Sequence, residues 1–129
     1  RIDYDGTDTL SAYLNDIFVA SQSGVVLPGG YFGLNTFYSD VTYHSAMLTE
    51  YPEESNFVSN LSDLTYTGGH WTETKDGLRA TMSSDAFAIA GENIDGPFVF
   101  EGDMTMISGV AMGVIFQAQS ENPGATGGY

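Results

Sequence analysis

Apolar and polar residues alternate with period two along most of this chain, and no stretch carries the three-to-four spacing of an amphipathic helix. The longest alternation is 98–119, FVFEGDMTMISGVAMGVIFQAQ. Phe98, Phe100, Met104 and Met106 share one side, with Val99, Glu101, Asp103 and Thr105 opposite. After Ser108-Gly109, Val110, Met112, Val114 and Phe116 share a side, with Gln117 and Gln119 opposite. The pattern predicts a β-hairpin turning at Ser108-Gly109, with one buried face and one face of carboxylates and amides.

Shorter runs punctuated by turn residues fill the rest. Arg1–Tyr4 and 9–14 alternate, and Asn15-Asp16 leads into 17–20 as a two-residue hairpin connection. The loop 21–30 holds Pro28-Gly29-Gly30. Tyr31–Tyr38 is apolar on both faces and reads as a central strand; Ser39-Asp40 reads as a turn into 41–48. Residues 49–56, TEYPEESN, lack a strand pattern and read as a linker able to span roughly 27 Å if extended. Further strands are expected at 57–61, 64–67, 70–73, 78–82 and 86–90. Asp76-Gly77 is a hairpin signal, because glycine accepts the positive φ of a tight turn. Many short strands at regular spacing predict an all-β fold, an antiparallel β-sandwich in preference to a barrel.

With 129 residues, 42% hydrophobic and 13% aromatic, the chain has the makings of one ordinary core. Its formal net charge is −14, and its only Lys and Arg residues are Arg1, Lys75 and Arg79. That balance argues against nucleic acid, whose phosphates need a basic patch, and against an anionic membrane surface. No apolar run is long enough for a membrane-spanning helix. The absence of cysteine excludes disulfides and thiolate metal sites. Arg1 opens inside a strand pattern without a leader, as expected for a segment of something larger.

Candidate chemistry is sparse. His44 and His70 are the only histidines, and no serine stands in a nucleophile elbow. Glu101 and Asp103, two apart on a strand, share a face at roughly 6 to 7 Å, near the spacing of an inverting glycosidase pair. Asp3, Asp5 and Asp8 have the flavour of a calcium loop but lack its full spacing and its bidentate Glu. A turn held by Asp side chains is the first reading, structural calcium the second. Sugar binding needs planar hydrogen-bonding groups beside an aromatic platform. Glu101, Asp103, Gln117 and Gln119 supply the former; tyrosines and Trp71 are candidates for the latter, with Trp71 read first as a core anchor.

At these residues the chain resembles a known family. GGHWTETKDGLRATMSSDAFAIA, followed by FVFEGDMTM and GVAMGVIFQAQSENPGATGGY, is similar to the start of family 66 carbohydrate-binding modules. These are the fructan-binding sandwiches attached to secreted glycoside hydrolase family 32 enzymes such as levanases and inulinases. DTLSAYLNDIFVAS through GGYFGLNTFYSDVTYHSAML resembles the end of such a module. The implied order is the end of one module (1–48), a linker (49–56) and the start of another (57–129). The chain is then a cut from a tandem array, a circular permutant whose halves close on each other, or a swapped pair. The resemblance implies a concanavalin-like or jelly-roll sandwich that binds fructose-containing glycan without cleaving it. It implies no cofactor, an extracellular or cell-surface location, and a parent catalytic domain as neighbour. The family holds its sugar with acidic and Arg side chains. Glu101 falls where it places a carboxylate, and Gln117 where many members carry Arg. The expected ligand face is Glu101, Asp103 and Gln117, with Asp85 or Tyr129 at its rim. A ligand-free structural or adhesive spacer is the runner-up, and a carboxylate-dependent glycosidase comes third.

Overall fold

The computed structural model describes residues 1–50, 53–56, 63–81, 84–90 and 94–120, the backbone alone for 53–56. Among them there is no α-helix, and the strands form one antiparallel sheet. The strands are β1 (Ile2–Tyr4), β2 (Leu10–Leu14), β3 (Ile17–Gln22), β4 (Tyr31–Glu50), β5 (Glu53–Asn56), β6 (Leu64–Thr67), β7 (His70–Thr74), β8 (Gly77–Thr81), β9 (Asp85–Ala90) and β10 (Phe98–Ala118). The fold is all-β and sandwich-like, as the short periodic runs imply. The expected strand at 57–61 lies outside the described residues.

The sandwich arises by bending two long strands rather than by stacking two separate sheets. β4 and β10 pair with each other along nearly their whole lengths, from Phe98↔Glu50 to Ala118↔Tyr31. Both bend at the same level, where Ser108 faces Asp40 and Gly109 faces Ser39. On one side of the bend, the second half of β4 and the first half of β10 belong to the path β3-β2-β1-β10-β4-β8-β7. On the other side, the first half of β4 pairs with β9, which pairs with β6. We call these the first and second layers.

This overturns the hairpin expected at Ser108-Gly109 and the turn expected at Ser39-Asp40. The two runs of β10 are not neighbours within a layer. They face each other across the core, with the rings of Phe98 and Phe116 6.3 Å apart. Gly109 makes the bend with a φ of 125°, and a Cβ there would sit 2.3 Å from the Tyr38 carbonyl oxygen. Tyr38 itself takes a left-handed φ of 46°. The buried Ser39 hydroxyl joins the strands at this point. It accepts the N–H groups of Val110 (2.9 Å) and Ala111 (3.0 Å) and donates to the Phe37 carbonyl (2.8 Å). A bend would otherwise leave those amides unpaired, at a cost of about 1–3 kcal/mol each.

The core fills the space between the layers. Phe32, Leu34, Val41, Tyr43, Leu78, Phe98 and Phe100 are wholly or almost wholly buried in one cluster. Phe32 meets Phe98 and Phe100 edge-on at 4.7 and 5.3 Å, contacts worth about 0.5–1.5 kcal/mol each beyond simple burial. Tyr43 sends its hydroxyl to the Asn35 carbonyl, so the two halves of β4 are fastened to each other across the bend.

The stretch read as a linker is largely strand. Thr49 and Glu50 end β4, and β5 pairs back on Met47–Glu50. Strands from 1–48 and from 57–129 also interleave, since β10 lies between β1 and β4. Both short hairpins form where turn residues mark them. Asn15 and Asp16 both take positive φ, 50° and 61°, the signature of a type I′ turn even without glycine. The other connection is Lys75-Asp76, one residue before the expected Asp76-Gly77. Gly77 opens β8 with a φ of 128°, so close to β4 that a Cβ would lie 2.1 Å from the Tyr43 carbonyl oxygen.

Candidate functional site

Glu101 and Asp103 stand exposed on β10, because Phe98 and Phe100 take the inward positions of the same strand. They line a groove of about 340 Å³ together with Arg1, Asn15, Asp16, Ser45 and Met47. Pairing brings these residues together from four places in the chain. Met47 and Ser45 lie opposite Glu101 and Asp103 on β4. β1 pairs with β10 on the other side, which sets Arg1 beside Glu101. The β2–β3 turn contributes Asn15 and Asp16.

Arg1 is the hub of this groove. Its Nε donates to Asp3 Oδ1 at 3.0 Å, and its Nη1 lies 3.9 Å from Asp16 and 4.0 Å from Glu101. Its guanidinium carbon sits 4.1 Å from the centre of the Tyr13 ring, a cation–π contact. The hydrogen bond to Asp3 raises the Arg1 pKa further, so the cation is permanent. Sequence reasoning counted Arg1 as one of the basic residues without placing it in the site. Its proximity to Glu101 depends on which strand β1 chooses, and no local pattern carries that. The other two cations are engaged elsewhere. Arg79 forks onto Asp40, with Nε–Oδ1 at 2.9 Å, which lowers the Asp40 pKa, and Lys75 extends into solvent beside Asp76.

The rest of the expected ligand face is dispersed. Gln117 does not line the Glu101 groove. It takes a left-handed φ of 59° where the β4–β10 register shifts between Ile115 and Ala118. Its Nε2 donates to the Ile94 carbonyl at 3.1 Å, and its Oε1 is buried without a partner among the described residues. The amide therefore fastens the Gly30–Ile94 bridge instead of facing outward. Asp85 opens β9 in the second layer, opposite Phe37 and ten residues along β4 from the partner of Glu101. Tyr129 lies outside the described residues.

The Asp-rich stretch forms a turn. Asp5 Oδ1 accepts the N–H groups of Thr7 (2.8 Å), Asp8 (3.0 Å) and Thr9 (3.1 Å). These bonds, led by the one from Thr7, bring the Asp5 pKa down to about 2. Asp3 is taken up by Arg1. Among the described residues no group of three or more His, Asp or Glu side chains is arranged to hold a metal.

His44 is the extra residue at a β4 bulge, between Tyr43 and Ser45. Its Nδ1 lies 2.8 Å from the Asp76 carbonyl oxygen, so that nitrogen donates, and its Nε2 lies 2.9 Å from Thr105 Oγ1. A hydroxyl, an imidazole and an orienting carbonyl follow in the order of a nucleophilic triad. They stand exposed on the sheet, where water screens the field that such chemistry relies on.

A second groove, of about 480 Å³, was missed at the sequence level. Tyr66, Gly68, Gly69, His70, Trp71, Glu73 and Leu78 line it. Trp71 is a core anchor, as expected, stacked on buried Tyr43 at 6.2 Å and 25°. It also borders this opening. The available signal was Trp71 and Glu73 two apart on one strand, with Tyr66 just across Gly68-Gly69.

No family model matches the chain, and no curated protein or solved structure matches it. No helix among the described residues is long and apolar enough to cross a membrane.

Proposed function

We propose that this chain is a non-catalytic carbohydrate-binding module for fructan or a related glycan, which tethers an extracellular glycoside hydrolase to its polysaccharide. The observation that carries this reading is the Arg1 guanidinium beside Glu101 in a groove that also holds Asp103 and Asn15. Neighbouring sugar hydroxyls each need a donor or an acceptor at a fixed position. Carboxylates accept only, a guanidinium donates only, and Asn does both. A sheet floor holds them with little freedom left to lose on binding. Arg1 also supplies the forked cation that the resemblance expected at Gln117. Tethering raises the local concentration of polymer at a linked catalytic domain and requires no bond making in this chain.

The second reading is a ligand-free spacer or adhesive module. The exposed apolar strand β3 favours it, because such a surface suits packing against a neighbouring domain. Isothermal titration against levan, inulin, sucrose and fructose, with xylan and cellulose as controls, separates the two. Saturable heat with fructans, weakened about tenfold or more by Glu101→Ala, is the expected result. Flat traces from folded protein would leave the spacer. Release of reducing sugar, stopped by Glu101→Gln, would make the protein a glycosidase.

A further inference from the structure

The groove bordered by Trp71 lies at the sheet edge, where β6 of the second layer passes through Gly68-Gly69 into β7 of the first. Both glycines take left-handed φ, 67° and 61°, which allows this crossing within two residues. Trp71 rests on Tyr43 beneath it and touches Tyr66 at 5.6 Å and 42°. Its Nε1 donates to the Gly68 carbonyl at 3.2 Å, which fixes the indole in its plane. Glu73 follows two residues later on the same side of β7, opposite Leu78. Tyr66 and Glu73 line the same groove, and burial first, with the Glu73 charge second, raises the Tyr66 pKa. His70 completes the rim.

We infer that this edge groove is a second carbohydrate site, in which one hexose ring of a glycan lies against Trp71 and Tyr66 with its hydroxyls on Glu73 and His70. A hexose has an apolar C–H face and a polar perimeter, and the groove repeats that division. Two rings in mutual contact make one continuous apolar wall, held by packing before any ligand arrives. One carboxylate at its border can accept from two adjacent hydroxyls. An organic cation would also be drawn to aromatic rings and a carboxylate. A cation cage, however, needs rings that face each other across a gap, and here they lean together. The site shares no lining residue with the Glu101 groove: it is lined from the β6–β7 crossing, β7 and β8, whereas the Glu101 groove is lined from β10, β4, Arg1 and the β2–β3 turn. It therefore does not rest on the reading of Glu101. Two sites on one rigid sheet would let a polymer bind more tightly than either site alone.

Trp71 is the only tryptophan in the chain, so its emission reports this groove directly. The test is a fluorescence titration of the full chain, wild type and Glu101→Ala. The ligands are oligosaccharides derived from inulin, levan, cellulose, xylan and laminarin, with tetramethylammonium chloride as the cation. We expect a saturable shift with at least one oligosaccharide, retained in Glu101→Ala and displaced about tenfold to weaker binding in Glu73→Gln. Glu73 is exposed, so that variant should fold normally. No saturable change with any oligosaccharide would overturn the inference. So would saturation by tetramethylammonium alone, or a response that disappears in Glu101→Ala. Retention of the shift in Glu101→Ala, together with loss of the titration heat assigned to Glu101, would separate the fates of the two sites.

Discussion

At one edge of the first layer, β7 lays Trp71 on Tyr43 and closes the core. At the other edge, β3 holds Ile17, Phe18 and Val19 out to solvent, 70%, 56% and 60% exposed. Both strands carry large apolar residues, and both belong to tight hairpins. They differ in what lies beneath them. The second layer runs from β10 through β4 and β9 to β6, and so reaches under β8 and β7. No residue of β3 joins the core cluster, and the apolar members nearest to it are Ile2 and Leu10, on β1 and β2. An apolar residue on an edge strand is thus buried only where the opposite layer extends to meet it. Left open, such a strand offers unpaired backbone groups to any chain that can add to it.

The largest test of this comparison is the shared core between the bent halves. Phe100→Ala should cost about 3–5 kcal/mol in urea unfolding, since Phe100 is fully buried against Phe32. Next come the two edges themselves. Trp71→Ala should cost about 3 kcal/mol, whereas Ile17→Ser, at a more exposed position of β3, should change stability by less than about 0.5 kcal/mol. Equal losses at both edges would break the contrast, because β3 would then be packed in solution. Ser39→Ala should cost about 2 kcal/mol through the Val110 and Ala111 amides it leaves behind. A neutral result there would mean that the bend does not depend on that hydroxyl.

The smallest effect should appear only in acid. The Asp5 pKa is lowered from 3.8 to about 2, so its contribution is fully present above about pH 4 and disappears as pH falls through about 2. Thermal melts of Asp5→Asn should therefore show a shallower loss of stability than wild type between pH 4 and pH 2. The Asp40 carboxylate, held low by Arg79, adds to the acid sensitivity of both proteins with the same sign. An unchanged acid slope in Asp5→Asn would show that the Thr7, Asp8 and Thr9 bonds do not hold that turn in solution.

Much of the local architecture was legible in the residue pattern. The residue pattern placed strands at 9–14, 64–67, 70–73 and 86–90, where β2, β6, β7 and β9 lie, and the turn residues placed one hairpin at Asn15-Asp16 and the other within a residue of Asp76-Gly77. The i, i+2 spacing put Glu101 and Asp103 on a common outer face opposite Phe98 and Phe100. These features follow from the period of the strand and the φ of a turn, which a few consecutive residues determine.

What only the tertiary structure decided was partnership. A phase break at Ser108-Gly109 is the same in sequence whether the two runs pair with each other or bend together against a third strand. β4 settled it, by running alongside both runs and bending with them at Ser39. Arg1 reached Glu101, and Trp71 reached Tyr66, through pairings and crossings that no short window contains. Gln117 left the outer face through a register shift that inverts the alternation on which its placement depended. The physical reason is common to all of these. Periodicity states which side of a strand is apolar, whereas the strand that hydrogen-bonds to its edge is chosen by the whole chain.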